Sequence, residues 1–261
     1  MKAYLLGAAL VAVAAPAAAQ SPFDGTYRMD IASAQLPKKP LNRALKAGVY
    51  RCDCDTPLEV KADGQWHKVS GQAYSDEMRV EAVDDNRLRM EGRKGSKPSF
   101  ASDETVSPDG MTVNWTSIEY SATDGKPVNA SGKDKRVGAL PVAGLHRING
   151  GWVTVTDGLQ VDPAGITMTF KPISGGMSRT AGTGETYEAK FGGPAVPLRN
   201  DPAGTMVAVR QISPTKFEER MMRNGKLRAI LTYEMKPDGK IFATNYNPIQ
   251  KTTATITMTK Q

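Results

Sequence analysis

The chain has very few of the residues on which metal and covalent chemistry depend. It contains two cysteines and two histidines in 261 residues, whereas a structural zinc site needs four ligands. No Gly-x-Ser-x-Gly turn supports a serine nucleophile. Neighbouring acids such as Asp103 and Glu104 would point to opposite faces of a strand, so they would not flank one bond. The composition predicts no metal site, no cofactor and no catalytic residue, and a hydrolase is the less favoured alternative.

Long apolar runs and basic recognition segments are also missing from most of the chain. After residue 19 no apolar stretch approaches transmembrane length, and no arginine-rich helix or basic–aromatic ladder is present. We therefore expect a protein that neither spans a membrane nor binds nucleic acid. In residues 1–19, Lys2 precedes an apolar stretch that ends in a small-residue cleavage motif at Ala17–Ala19. This pattern predicts a signal peptide and a periplasmic or secreted mature chain beginning at Gln20.

The chain has an excess of basic residues, which are scattered along the sequence rather than clustered. Lys and Arg number 34 against 27 Asp and Glu, which gives a formal net charge of +7. Such a balance favours loose association with anionic surfaces. An anionic envelope polymer is therefore one expected partner, and a structural or interaction module of the envelope is the alternative to a ligand-binding protein.

Short alternating segments separated by turn residues make up most of the sequence. Glu77–Val83 and Arg87–Arg93 alternate apolar and polar residues, and Asn224–Gly225 is a strong two-residue hairpin signal. Strand, tight turn and strand at spacings of roughly ten residues predict an all-β protein built as an antiparallel up-and-down meander. Leu41–Ala47 is the exception, because its pattern predicts two turns of helix that end at Gly48.

One stretch of the chain is used twice. Shifted by 129, Val60–Thr112 lies without a gap on Ala189–Ile241, and a Pro-Asp-Gly turn falls on a Pro-Asp-Gly turn. In this alignment turn residues fall on turn residues, and apolar residues fall on the same alternate positions in both copies. We therefore predict two copies of one β unit. With the linker around Pro141 as boundary, the copies are residues 20–140 and 141–261.

The order of motifs in each copy resembles a family of small exported bacterial proteins of lipocalin-like type. Asp63–Gly64 and Val69–Gly71 are followed by an alternating hairpin and a Pro-Asp-Gly turn, and the family begins with a Gly-x-Trp element. Gly25–Tyr27 and Gly150–Trp152 would be the two openings, with Tyr in place of Trp in the first. The resemblance implies two tandem barrel-like units and an apolar ligand, and it implies no activity.

The only cysteines are Cys52 and Cys54. In a regular strand their Cα atoms would lie about 6.5–7 Å apart, at or beyond the disulfide limit. A bridge therefore needs a bend, which Asp53 and Asp55 favour, and export favours oxidation. The family tends to have Cys-x-x-Cys here, so this spacing is shortened. A local disulfide is the prediction; free thiols, a bridge to another chain and a metal site are the alternatives.

One face of the predicted strand over residues 99–107 carries two polar side chains, Ser102 and Glu104. The offset places Leu231 and Tyr233 of the second copy on this same face. Because those residues are apolar or aromatic, the face should be the inner one. We therefore expect Ser102 and Glu104 to be the polar handle of a ligand site in the first unit.

The expected ligand is a small apolar or amphipathic molecule with a donor group. The apolar lining predicted for it consists of Met78, Val80 and Trp115. An enclosed Glu104 without a partner would be costly, so it would bind a cation or keep its proton. Two alternatives stay open: the tryptophans and methionines fill the cores, or a bulge in the strand turns Glu104 to water.

Overall fold

The computed structural model describes residues 21–261, so the predicted signal peptide lies outside the described part of the chain. These residues form twenty strands, and the 3-10 turn Pro163–Ile166 is the only helical element among them. From residue 21 onward, no helix is long and apolar enough to cross a membrane. The predicted all-β class is therefore confirmed.

The strands form two antiparallel sheets of ten strands, each curved into a nearly closed barrel. The first barrel contains β2 (Leu41–Lys46), β3 (Val49–Cys52), β4 (Leu58–Lys61), β5 (Asp63–Lys68), β6 (Glu77–Ala82), β7 (Arg87–Lys94), β8 (Lys97–Val106), β9 (Thr112–Glu119), β10 (Val128–Val137) and β11 (Gly150–Val161). The second barrel contains β1 (Gly25–Gln35), β12 (Thr167–Ile173), β13 (Gly176–Ala181), β14 (Thr186–Lys190), β15 (Val196–Pro197), β16 (Met206–Ser213), β17 (Lys216–Arg223), β18 (Lys226–Met235), β19 (Ile241–Asn247) and β20 (Thr252–Lys260).

Both barrels have the same strand order, but each takes its opening strand from the other copy. The first runs β4-β3-β2-β11-β10-β9-β8-β7-β6-β5, and the second runs β14-β13-β12-β1-β20-β19-β18-β17-β16-β15. Strands β1 and β11 therefore occupy equivalent places. The predicted copies, 20–140 and 141–261, meet between β10 and β11, so the barrels do not coincide with them.

The exchange has a local cause in the connections that flank the opening strands. Strand β11 turns back to pair with β10, from Val137 opposite Gly151 to Ala130 opposite Val161, as sequential strands usually do. Strand β1 is followed by a segment that contains Pro37 and Pro40. A proline holds the residue before it in an extended conformation, so this segment leads away from β1 rather than folding back beside it. Strand β1 then fills the matching gap between β12 and β20.

The ladders of the two barrels repeat in detail. A bulge interrupts the pairing of β7 with β8 at Gly92–Arg93, and another interrupts the pairing of β17 with β18 at Met221–Met222, which lies 129 residues later. Within the repeated stretch, the offset changes after the Pro-Asp-Gly turn, where the second barrel is one residue shorter. Ile241 is therefore equivalent to Val113, and not to Thr112 as the ungapped offset predicted.

The predicted helix over Leu41–Ala47 is wrong, because this segment forms β2 and the start of a hairpin turn. Ala47 and Gly48 have φ angles of 50° and 72°, as a two-residue turn of type I′ requires. Gly48, interpreted from the sequence as a helix stop, thus closes the hairpin between β2 and β3. As a strand, the segment places Arg43 and Leu45 inside the barrel.

Candidate functional site

The face of β8 that carries Glu104 points into the first barrel. Glu104 lies opposite Leu88 on β7 and Trp115 on β9, and its side chain is only 8% exposed. Both ladders of β8 run without a register shift from Phe100 to Val106. The alternative in which a bulge turns this carboxylate to water is therefore wrong.

Arg43, from β2, joins two buried carboxylates. Its Nη1 donates to Glu104 Oε2 at 2.9 Å, and its Nη2 donates to Asp134 Oδ2 at 2.6 Å. Asp134, on β10, also accepts hydrogen bonds from Trp115 Nε1 at 3.1 Å and Thr154 Oγ1 at 2.8 Å. Of the two outcomes expected for an enclosed Glu104, the structure shows the one in which it pairs with a cation, Arg43. The cluster nevertheless holds two acids for one guanidinium.

Burial dominates the electrostatics of this cluster. It raises the pKa of the Glu104 carboxyl above the ordinary 4.5; Arg43 opposes this shift and Asp134 reinforces it. Burial lowers the pKa of Arg43, but Glu104, Tyr50 and Asp134 more than offset the effect, so Arg43 stays charged. Burial and Glu104 together raise the pKa of Tyr50, whose hydroxyl stays protonated. Ionisation of Glu104 would leave the cluster with one negative charge in excess.

A cavity of about 300 Å³ lies beside the cluster. Arg43, Tyr50 and Glu104 form its polar side. The rest of the wall is mostly apolar, although it includes Gln72 and Ser75. Its apolar part consists of Leu41, Leu58, Ala73, Met78, Met90, Phe100 and the disulfide of Cys52 and Cys54. Tyr74 and Glu119, which are exposed, lie at its rim. An apolar wall with one acid suits a small amphipathic molecule.

The five side chains predicted for the ligand site have different fates. Glu104 and Met78 line the cavity. Val80 is fully buried in the hydrophobic core, and Trp115 packs against that core while its indole nitrogen bonds to the charged cluster. Ser102 shares the face of β8 with Glu104, but it lies outside the cavity wall. The cavity is thus shifted from the predicted lining toward β2 and β3.

Three residues of the cluster were not predicted: Arg43, Tyr50 and Asp134. Arg43 was missed because its segment was predicted to be a helix. Had the segment been predicted to be a strand, the alternation of side chains would have placed Arg43 on the inner face. Asp134 gives no local signal, because its inward neighbours on β10 are Gly132 and Arg136, and neither is apolar. In a sequence, the buried face of a strand is recognised by its apolar residues. The sequence around Asp134 therefore does not show which face of β10 points inward.

Cys52 and Cys54 form a disulfide on the cavity wall, with their Cα atoms 5.3 Å apart. Cys52 ends β3, and the chain bends from Cys54 to Thr56. Asp53 supports the bend, because its carboxylate accepts hydrogen bonds from the backbone and side-chain amides of Asn42 at 2.7 and 2.6 Å. The bend makes the Cα separation shorter than that of a regular strand, so the pair can close.

The loop beside the cavity mouth is attached to the second barrel. Lys94 Nζ donates to the carbonyl oxygen of Ala73 at 2.8 Å and to that of Pro202 at 2.7 Å. The guanidinium of Arg223, on β17, lies 5.3 Å from the centre of the Tyr74 ring. The position of the mouth therefore depends on contacts between the barrels.

The second barrel has bulky apolar side chains where the first has its charged cluster. By ladder register, the residues equivalent to Arg43, Glu104 and Asp134 are Phe170, Tyr233 and Met258. The ring of Phe170 lies with its centre 5.8 Å from that of Phe217 and 5.0 Å from that of Tyr233. Aromatic packing of this kind fills the space equivalent to the charged cluster, and a separate cavity of about 790 Å³ is lined in part by Phe23, Phe191 and Phe217.

The second barrel places its own buried charges elsewhere. Arg179 Nε lies 3.0 Å from Glu219 Oε1, and the Tyr187 hydroxyl donates to the same oxygen. Burial lowers the pKa of Arg179, but Glu219 more than offsets this, so the guanidinium stays charged. One acid faces one cation here, so the pair is balanced, unlike the cluster of the first barrel.

Within residues 21–261, no group of three or more His, Cys, Asp or Glu side chains is placed to hold a metal ion. No family model, curated protein or solved structure matches the chain. The function therefore has to be argued from the geometry of the cavity itself.

Proposed function

We propose that this is an exported, non-enzymatic binding protein of the lipocalin-like type, whose first barrel encloses a small apolar or amphipathic ligand. The observation that carries the proposal is the cavity of about 300 Å³, with Glu104 on its polar side and Met78 and Phe100 on its apolar wall. Small-molecule sites have volumes of roughly 300 Å³ and above and combine apolar walls with few polar groups.

The ligand is oriented by the two sides of the cavity. Its apolar body packs against the methionines and Phe100, and its polar group lies beside Glu104. It enters past the rim formed by Tyr74 and Glu119. Removal of apolar surface from water drives this binding, so it depends little on salt.

The test is calorimetric titration of the full chain with 1-octanol as a neutral amphipathic probe. Leu58 lines the cavity, and its equivalent in the second barrel is Tyr187. Leu58→Tyr should fill the cavity and abolish octanol binding. Leu140→Tyr makes the same change at a residue that is 55% exposed and outside the cavity wall, so it should leave binding unchanged. Absence of octanol binding, or equal binding by both variants, would contradict the proposal.

The second candidate function is attachment to an anionic surface of the cell envelope. Leu140, Val142 and Leu145 are 55%, 76% and 37% exposed in the segment that joins β10 to β11. Exposed apolar side chains in one segment of a chain with net charge +7 favour an anionic lipid surface over a polysaccharide.

This second candidate is tested by sedimentation with vesicles of anionic or zwitterionic lipid. Val142→Ser should weaken binding to the anionic vesicles, and raised salt should weaken it further. Ile249→Ser changes an apolar residue that is 42% exposed at a different loop, so it is the matched control. Equal binding to both vesicle types would rule out this function.

A further inference from the structure

The cavity of the first barrel has the opposite charge to the rest of the protein. The whole chain carries a formal net charge of +7. The cavity wall contains one cation, Arg43, and two acids, Glu104 and Glu119. Asp134 lies directly behind Arg43, at 2.6 Å. A local excess of carboxylates in a basic protein selects ligands by charge, because low-dielectric walls strengthen electrostatic interactions.

Two polar atoms of the cavity wall have no hydrogen-bond partner within residues 21–261. Arg43 bonds to Oε2 of Glu104, and within residues 21–261 the other oxygen, Oε1, accepts no hydrogen bond. The hydroxyl of Tyr50 likewise makes no side-chain hydrogen bond in the described chain. Glu104 and Tyr50 are 7% and 2% exposed, and both line the cavity. Because both residues line the cavity, a ligand that donates hydrogen bonds can pair with these two atoms.

An anionic head would be disfavoured at this position. It would face Glu104 and Glu119, and the two terminal nitrogens of Arg43 already donate to carboxylates. A neutral hydroxyl would donate one hydrogen bond but would leave the excess negative charge uncompensated. An ammonium group would both donate to Oε1 of Glu104 and Oη of Tyr50 and balance the charge.

We propose that the ligand of the first barrel is an organic ammonium, a primary or secondary amine with a short alkyl or aryl body. The inference rests on the proposed binding function and names the head group of its ligand. The ammonium lies between Glu104 and Tyr50. The body packs against Met78, Met90 and Phe100, which form the apolar wall.

The experiment is calorimetric titration of the full chain at pH 7 with three probes of equal length: n-hexylamine, 1-hexanol and hexanoate. We expect hexylamine to bind at least tenfold more tightly than hexanol, and hexanoate more weakly than either. Glu104→Gln should lower the affinity for hexylamine at least tenfold and the affinity for hexanol much less. Glu59→Gln removes an exposed carboxylate paired with Arg51 and should change neither, so it is the control.

A second variant covers the case in which Glu104→Gln does not fold. Tyr50→Phe removes only the hydroxyl and should weaken hexylamine severalfold relative to hexanol. Equal affinities for hexylamine and hexanol would overturn the ammonium inference while leaving the binding function intact. Preference for hexanoate would overturn it too and point to Arg43 as the ligand group. Binding of none of the three probes would contradict the binding function itself.

Discussion

The two barrels share a strand order and a bulge, yet they differ in what lies inside. In the first barrel Arg43 and Glu104 border a cavity of about 300 Å³. In the second, Phe170 and Tyr233 stand at the equivalent places, with ring centres 5.0 Å apart. Backbone hydrogen bonds and turns determine how the strands pair, whereas the inward-facing side chains determine what occupies the space at these positions inside each barrel. One scaffold can therefore place aromatic rings or a charged cluster at the same positions through a few substitutions.

The two barrels also differ in the balance of their buried charges. The second barrel balances Arg179 with Glu219, whereas the first sets two acids against Arg43. A balanced pair contributes to folding only while both partners remain, because a single buried charge is costly. A cluster with one acid in excess tolerates the loss of that acid. The excess at Glu104 is therefore better explained by binding than by stability.

The largest expected effect comes from cutting the chain at two different boundaries. Residues 21–140 are the described part of the first copy, but they lack β11 and with it the fully buried Ile148 and Trp152. Loss of each such side chain costs about 3–5 kcal/mol. We expect this fragment not to unfold cooperatively in urea. The fragment 38–162 contains every strand of the first barrel and should unfold cooperatively. Cooperative unfolding of 21–140 alone would contradict the strand exchange.

The next largest effect compares two glutamates. Glu219→Leu leaves Arg179 without a carboxylate and Tyr187 without its acceptor, so we expect the free energy of unfolding to fall by about 3–5 kcal/mol. Glu104→Leu leaves Arg43 paired with Asp134, so the change should be within about 1 kcal/mol.

Urea denaturation of the full chain measures both variants against the wild type. A Glu104→Leu variant that is destabilised as much as Glu219→Leu would show that the first cluster serves folding. The reverse order of effects would contradict the comparison altogether. The binding assay with octanol identifies a Glu104→Leu protein that still has its cavity.

Much of the architecture follows from local patterns in the sequence. Asn224–Gly225 marks a hairpin, and the parity of β8, read against Tyr233 of the second copy, places Glu104 inside. The exchange of β1 and β11 does not follow, because equivalent strands fit either barrel and only the connections choose between them. The inward position of Arg43 was missed because Gly48 was interpreted as the end of a helix. A glycine at such a position can equally close a hairpin, as Gly48 does. Its ion pairs join residues 61 and 91 positions apart, and no local pattern reports such contacts.

A smaller effect on stability is expected from the disulfide, which is present in the first barrel and has no counterpart in the second. Cys52 and Cys54 have Arg179 and Ala181 as equivalents, so only the first barrel is bridged there. The bridge joins residues separated by 2 in sequence, and the chain-entropy relation gives about 1.6 kcal/mol for so small a loop. We expect Cys52→Ala/Cys54→Ala to lose about this amount in urea denaturation. Reductant should destabilise the wild type equally and leave the double variant unchanged. A shift of the double variant by reductant would contradict the assignment.

The smallest expected effect is the pH dependence that Glu104 gives to the first barrel. Because burial raises its folded pKa above 4.5, the folded protein binds this proton more tightly than the unfolded chain does. Its contribution to stability is therefore fully present below pH 4.5 and is lost as pH rises through the folded pKa. The loss is about 1.4 kcal/mol for each unit by which the two pKa values differ. Arg43 opposes the shift, while Asp134 and Tyr50 also face the carboxyl.

Glu104→Leu removes the titrating group from the first barrel, and Tyr233 already stands in its place in the second. The wild type should therefore lose stability relative to this variant as pH rises from the acid side of the transition to neutrality, when both are unfolded in urea across that range. Glu59→Leu is the control, because its exposed carboxyl has a pKa lowered by Arg51 and titrates below the window. A stability difference between wild type and Glu104→Leu that stays constant with pH would show that Glu104 has the same pKa in the folded and unfolded protein. A difference that changes in the opposite direction would show that Arg43 holds the folded pKa of Glu104 below 4.5. The first barrel would then carry its excess charge at every pH at which it is folded, and an ammonium ligand would be bound without a proton being released.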